Sequence, residues 1–319
     1  MIVPEGFLKE TTDMQTGRFV RLSKDYLFGI SEVLLSACCW KAYLIDDYGT
    51  LTLNIWNQMV APSGDGKSLP IDKFLVPTLA KLEKLLETET ERYALFLSDY
   101  TPEAIYKYFS EKRPNGQKLK KDEKPKRRII YNLGILCKDE ASMYMKAAMN
   151  KKYMADITEV ESKIYDGILY RRITISRGPE QVSKCYKANI SASTPVIYSL
   201  MSKDCIIQGG TNRYDFFIGN PLKPEDVELL NKDFFVPKND MEKFAGIPEE
   251  FANKLLKLTK IKFEFQIVMD DNTNLMWREY EREMKLEAIK LEETNLHACM
   301  LLFCASLLTV AFPFVFLKP

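Results

Sequence analysis

The stretch Ala61-Pro62-Ser63-Gly64-Asp65-Gly66-Lys67-Ser68 constrains this chain more than any other part of it. It follows Leu51 to Val60, an apolar run rich in strand formers. It precedes Leu69 to Thr90, where Phe74, Leu75, Leu79, Leu82, Leu85 and Leu86 fall at helical spacing. A strand, a glycine-rich turn and a helix in that order make a cradle for an anion. Gly64 and Gly66 let backbone N–H groups turn inward, and Lys67 places a cation on phosphate oxygens. The Ser68 hydroxyl suits Mg2+, and the helix presents its positive N-terminus to the same anion. The bland alternative is a flexible surface turn, which needs neither flanking element. A strict motif has Gly at its first position, where this chain has Ala61.

A second acidic feature follows. Ile129 to Lys138 reads as a strand and ends at Asp139-Glu140. Beside a phosphate loop, Asp139 is expected to support Mg2+ and Glu140 to polarise an attacking water. The alternative is an acidic helix N-terminus stabilised by the helix dipole. Lys138 is the awkward residue, because it puts a charge where the strand should still be buried.

Around these motifs the chain alternates. Leu22 to Ile45 reads as a helix, and Tyr93 to Leu97 as a short strand. Thr101-Pro102-Glu103 reads as a helix start, and helices are expected over 141–167. Further strands are expected at Leu169 to Ile175, Cys185 to Ile190 and Tyr214 to Ile218. That order implies a doubly wound α/β sheet. Beyond Pro221, Glu225 to Thr259 and Asn274 to Glu293 read as charged helices, with a strand-like Ile261 to Met269 between them. The expected divisions are a helical segment at 1–45, a core at 46–220 and a C-terminal helical region at 221–319.

The fixed order of these pieces carries a resemblance over residues 20–220. Ala61 to Ser68, then Ser98-Asp99-Tyr100-Thr101-Pro102-Glu103-Ala104-Ile105, then Asp139-Glu140-Ala141-Ser142 resemble P-loop ATPases of phages, plasmids and mobile elements. That family is primase-associated and described as helicase-like. Leu22 to Tyr43, Tyr165-Asp166-Gly167, Ala188 to Pro195 and Gly209-Gly210-Thr211-Asn212-Arg213-Tyr214 extend the likeness.

The resemblance implies a RecA-like P-loop fold with a mainly parallel central sheet flanked by helices. It implies Mg2+-dependent ATP hydrolysis acting on nucleic acid in mobile-element or viral replication. Pro62, Ser63, Gly64, Asp65, Gly66, Lys67, Ser68 and Leu69 would bind ATP. Ser68 and Asp139 would hold Mg2+, while Lys67, Glu140 and Arg213 would be catalytic. Asn189 to Thr194 would end a sensor strand. Arg213 would act as a sensor or as an arginine finger between subunits of a homo-oligomer. Two rivals remain: a membrane-associated ATPase and a non-catalytic nucleotide-binding assembly protein.

Composition narrows the partners. The formal net charge of the 319 residues is +1, so nucleic-acid contact cannot rest on a whole-molecule field and needs a local patch. Lys112 to Arg128 is such a patch, with nine Lys or Arg residues against Asp122 and Glu123. It lacks interleaved aromatics, so backbone tracking along single-stranded DNA is its functional reading and a solvated loop its bland one. The seven cysteines form no C-x-x-C pair, and Met1 to Glu10 has no apolar signal core. Free thiols in a cytoplasmic protein are the expectation. A sole histidine, His297, argues against a His-rich metal site and against a Cys-His or Ser-His dyad within roughly the first 290 residues. Residues 296–317 carry no Asp, Glu, Lys or Arg and fit two readings, a tail anchor in a membrane or a buried helix.

Overall fold

The computed structural model describes residues 6–102 with short gaps, 134–166 save one residue, 170–174, 178–182, 187–201, 213–219, 247–259, 265–267 and a few positions between 271 and 286. The basic stretch 112–128, the apolar stretch 296–317, Arg177 and Gly209 to Asn212 lie outside the described residues. So does most of the expected helix Glu225 to Thr259 before residue 247.

The chain is α/β. Its centre is a five-stranded, wholly parallel sheet of β3 (Trp56–Val60), β4 (Phe96–Ser98), β5 (Ile135–Lys138), β8 (Ala188–Ser193) and β9 (Asp215–Ile218). The order across the sheet is β4-β5-β8-β3-β9. Parallel neighbours need long crossovers, and those crossovers place helices on both faces. Every residue of β3, β5 and β8 is accordingly buried.

Side chains alternate between two cores, as the period of a strand demands. Met59, Ile135, Cys137, Ile190 and Ala192 face one core, shared with α2 (Lys24–Cys38), α3 (Val76–Glu87) and the later helix Glu249–Thr259, with α1 (Phe7–Thr16) packed against it. Trp56 and Leu136 face the other, packed on Met154, Ile157, Val160 and Ile164. The last three of these lie on the helix Ile157–Tyr165. The helices at Lys24–Cys38 and Glu249–Thr259 come from the flanking segments, yet they pack into the same core as β3 and β8.

Two elements differ from expectation. The helix expected over residues 22–45 ends at Cys38. Cys39 leaves helical geometry at φ −92° and ψ 30°, while its N–H still caps the carbonyls of Leu35 and Ser36. Ala42–Asp46 is then strand β1. It pairs antiparallel with β2 (Gly49–Thr52) and parallel with β10 (Phe265–Ile267) in a separate small sheet. The single strand expected from Leu51 to Val60 is therefore two strands in two sheets. The break is held by Ser36, whose hydroxyl donates to Leu53 O and accepts from Ile55 N at 3.1 Å. A hairpin, β6 (Tyr170–Thr174) with β7 (Gly178–Val182), completes the strands; β7 is absent from the sequence expectations.

The helix after the glycine loop begins with a π-helical turn, Ile71–Leu75, before α3. Pro77 explains it. A proline has no N–H to give Lys73 O in an α ladder, and its ring crowds that carbonyl; the wider turn, in which the Val76 N–H bonds back to Ile71 O, sits directly before it.

Candidate functional site

All five strands of the main sheet run the same way, so their C-terminal ends share one edge. Ligands in open α/β sheets bind outside that edge. The glycine loop leaves β3 there, Asp139 and Glu140 leave β5 there, and Ser193 ends β8 between them.

The loop has the backbone its sequence demands. Gly64 has φ +96° and Gly66 φ +73°, left-handed values that a Cβ would strain. Ala61 N donates to Ser193 O at 3.1 Å, tying the loop's start to β8. Ser68 O accepts from Asp72 N at 2.9 Å, so the helix begins there. The Leu69 N–H already donates to Gly66 O at 2.9 Å, and its side chain is exposed. The resemblance implies that Leu69 binds nucleotide; here its amide closes the turn of the loop.

Four side chains expected to act together do meet. Ser68 Oγ donates to Asp139 Oδ1 at 2.6 Å. Lys67 Nζ lies 3.6 Å from Glu140 Oε1, with the lysine nearly buried and the glutamate half exposed. Glu140 sits at the N-cap position of the helix Ala141–Asn150 but makes no side-chain cap hydrogen bond, which leaves its carboxylate to Lys67. Burial, and then Asp139, push the Asp72 carboxyl above its ordinary range; Lys73 pulls the other way. The Cys137 thiol is pushed up to about 12 by burial and by Asp139 and Asp72, so it is an inert thiol here.

A Mg2+ ion fits this set. Mg2+ takes few protein ligands, prefers oxygen and completes its shell with water and phosphate. Ser68 and Asp139 supply two such oxygens side by side. Among the described residues no group of three or more His, Cys, Asp or Glu side chains gathers into a metal site, and a Mg2+–phosphate site requires none.

Arg213 lies apart from these four residues. It precedes β9, at the N-terminal edge of the sheet, since Asp215 pairs with Asn57 near the start of β3. With about 3.3 Å of rise per residue, the length of β3 puts it roughly 15 Å from the loop. There it pairs with Asp166 at 3.3 Å and lies over the Tyr165 ring. It is out of reach of a phosphate held by its own loop. Asn189 also lies toward that end, paired with Trp56 and donating to the Tyr214 hydroxyl at 3.3 Å. The part of the expected sensor strand that reaches the loop is Ser193. Its hydroxyl is buried and makes no hydrogen bond within the protein.

Lys138 resolves otherwise than its sequence suggests. Its side chain turns away from Asp139 onto the opposite face, into a buried polar cluster. Nζ lies 2.8 Å from Glu161 Oε1, donates to the Tyr214 hydroxyl at 3.2 Å and sits 4.1 Å from the centre of the Tyr144 ring. Tyr144 donates to Glu161 at 2.8 Å. Burial alone would lower the lysine's pKa, but Glu161 and Tyr214 more than offset it, and the net shift is upward.

One residue at the site carried no sequence signal. Tyr26 of α2 donates its hydroxyl to Lys67 O at 3.1 Å from 41 residues away, a contact that no local spacing encodes.

No protein-family model matches this chain, and no curated protein matches it. Among the described residues, no helix is long and apolar enough to cross a membrane.

Proposed function

We propose that the protein is a Mg2+-dependent ATPase of the RecA-like P-loop class, acting on nucleic acid. One observation carries the reading: Lys67, Ser68, Asp139 and Glu140 converge at the C-terminal edge of a parallel sheet, although about seventy residues separate the two pairs. A solvated turn and an unrelated acidic helix start have no reason to meet in this way. The strand between β3 and β5 ends at Ser193, beside the loop, and in this reading it is the sensor strand that the resemblance implies for Asn189 to Thr194.

In this reading the loop's inward N–H groups and Lys67 bind the phosphates and hold them still. Ser68 and Asp139 would hold Mg2+, which would supply charge neutralisation at the phosphates. Glu140 takes a proton from the water that attacks the terminal phosphorus, and the bond to the bridging oxygen breaks toward ADP. Catalysis of this kind is mostly positioning and electrostatics, so a preformed loop matters more than a reactive side chain. In this reading Arg213 serves a neighbouring subunit's nucleotide.

The test is phosphate release from ATP by the intact chain, with and without Mg2+ and a single-stranded oligonucleotide. Turnover that needs Mg2+ and rises with the oligonucleotide is the expected result. ATP binding without turnover would instead favour a nucleotide-dependent assembly protein. Absence of binding would reject the reading.

A further inference from the structure

The loop does not hold its shape alone. Tyr26 lies in the first turn of α2, whose N-terminus Ser23 caps by accepting from Tyr26 N at 3.2 Å. Its side chain is wholly buried. Its hydroxyl donates to Lys67 O at 3.1 Å. That contact fixes more than one carbonyl. A trans peptide is planar, with its C=O and N–H pointing opposite ways. If Lys67 C=O is drawn down toward α2, the N–H of Ser68 in the same peptide must point away from α2. The next peptide is committed as well, because Ser68 O accepts from Asp72 N and Leu69 N donates to Gly66 O. Ser68 N–H is thus aimed by hydrogen bonds on both sides of it.

We propose that Tyr26 is a positioning residue for phosphate: by holding Lys67 C=O it aims the Ser68 amide at the bound nucleotide. The inference rests on the reading of the loop as a nucleotide site. It makes α2, from the N-terminal segment, part of the phosphate cradle. Preorganisation of this kind removes an ordering cost that the ligand would otherwise meet on binding. The hydroxyl remains a donor at any working pH, because burial and then Asp139 raise its pKa far above neutrality.

Tyr26→Phe tests this, because the ring stays in the core and only the donor is lost. Loss of one hydrogen bond is typically worth a factor of about five to ten. The expected result is a rise of that size in KM for ATP and in the Kd of ADP, with kcat at saturation within about twofold of the parent. A tyrosine that merely packs would shift Tm and leave KM alone. Unchanged KM and Kd in a folded Tyr26→Phe protein overturn the proposal. The parent supplies a second measurement that needs no variant: the Ser68 amide resonance should move downfield when ADP is added, and a resonance that stays put also overturns it. Lys67→Ala serves as the control on the underlying reading. If the parent binds ATP, Lys67→Ala does not and Tyr26→Phe binds like the parent, only the role of Tyr26 fails. If the parent itself binds no nucleotide, the loop reading fails and takes this proposal with it.

Discussion

Ser68 Oγ donates to Asp139 Oδ1 at 2.6 Å, joining the first residue after the phosphate-loop lysine to the first acid after β5. Under the proposed function, these two hard oxygens would hold a Mg2+ ion. Ser68→Ala and Asp139→Asn are therefore expected to raise the Mg2+ concentration needed for half-maximal turnover by about tenfold or more. ATP binding in the presence of a chelator should change little. Titration of turnover against Mg2+, beside nucleotide binding in EDTA, checks both. A parental Mg2+ curve in either variant would remove that residue from the metal site.

Lys67 and Glu140 face each other at 3.6 Å, yet their expected roles differ. Lys67→Ala removes a cation aimed at phosphate, and its loss should cost at least about 2–4 kcal/mol in the transition state, by analogy with oxyanion donors. Glu140→Gln keeps the shape but cannot take a proton from water, so it should bind ATP and fail to turn it over. Equilibrium binding and single-turnover hydrolysis separate the two. Normal hydrolysis by Glu140→Gln would move the general base elsewhere.

The strand, loop and helix around Ala61 to Ser68 were legible because each signal is local: an apolar run, two glycines, a 3.6-residue apolar period. The acid pair was legible for the same reason, at the end of a short apolar strand. Other features depend on partners far along the chain. Ala42–Asp46 continues the apolar pattern of α2, and only its pairing with Gly49–Thr52 and Phe265–Ile267 makes it a strand. The end of the sheet that Arg213 reaches is set by strand direction, and Tyr26 reaches Lys67 through tertiary packing. Lys138 looked misplaced because Glu161, Tyr144 and Tyr214, which receive it, lie on three other segments.

That buried cluster makes a stability prediction. The Lys138 and Glu161 side chains are only 6% and 10% exposed. Removing one partner strands the other charge in the core, so Lys138→Met should destabilise the fold by about 3–5 kcal/mol. Removing both, in Lys138→Met with Glu161→Leu, should recover much of that loss, because no buried charge remains. Urea unfolding of parent, single and double variants measures it. A double variant at least as unstable as the sum of the singles would show that the pair is not the unit of stability.

Glu32 sets a pH dependence. It is buried in α2, where Oε2 accepts from Asn57 Nδ2 at 3.3 Å, and that amide also donates to Gly29 O at 2.7 Å. Burial first, and then Asp215, push the carboxyl well above its ordinary range, with the Asn57 hydrogen bond acting the other way. Unfolded, the group ionises above about pH 4.5. Folded, it holds its proton to a higher pH. Above that pH the unfolded chain binds fewer protons, so stability falls as pH rises, by about 1.4 kcal/mol per unit until the folded value is reached. Glu32→Gln removes the dependence. Its Tm should change less than the parent's between pH 5 and 7 and lie above it at pH 7. Parallel curves would mean that Glu32 ionises within the fold.

The basic stretch Lys112 to Arg128 lies outside the described residues, and its prediction rests on charge alone. Nine cations within 17 positions of a chain whose net charge is +1 form a local patch able to follow a phosphate backbone. If they neutralise phosphates, affinity for a single-stranded oligonucleotide should fall steeply with salt. The log–log slope should be about −0.7 per phosphate contacted. Removing charge at Lys120, Lys121, Lys126, Arg127 and Arg128 should flatten that slope. Binding should weaken to a similar degree for every sequence, because backbone contacts carry no base information. ATP affinity should hold, since these residues lie outside the glycine loop at 61–68. Fluorescence titrations of a labelled oligonucleotide at several salt concentrations, with parent and substituted protein, read the slope directly. An unchanged slope would return the stretch to a solvated connection and leave nucleic-acid action resting on the family resemblance.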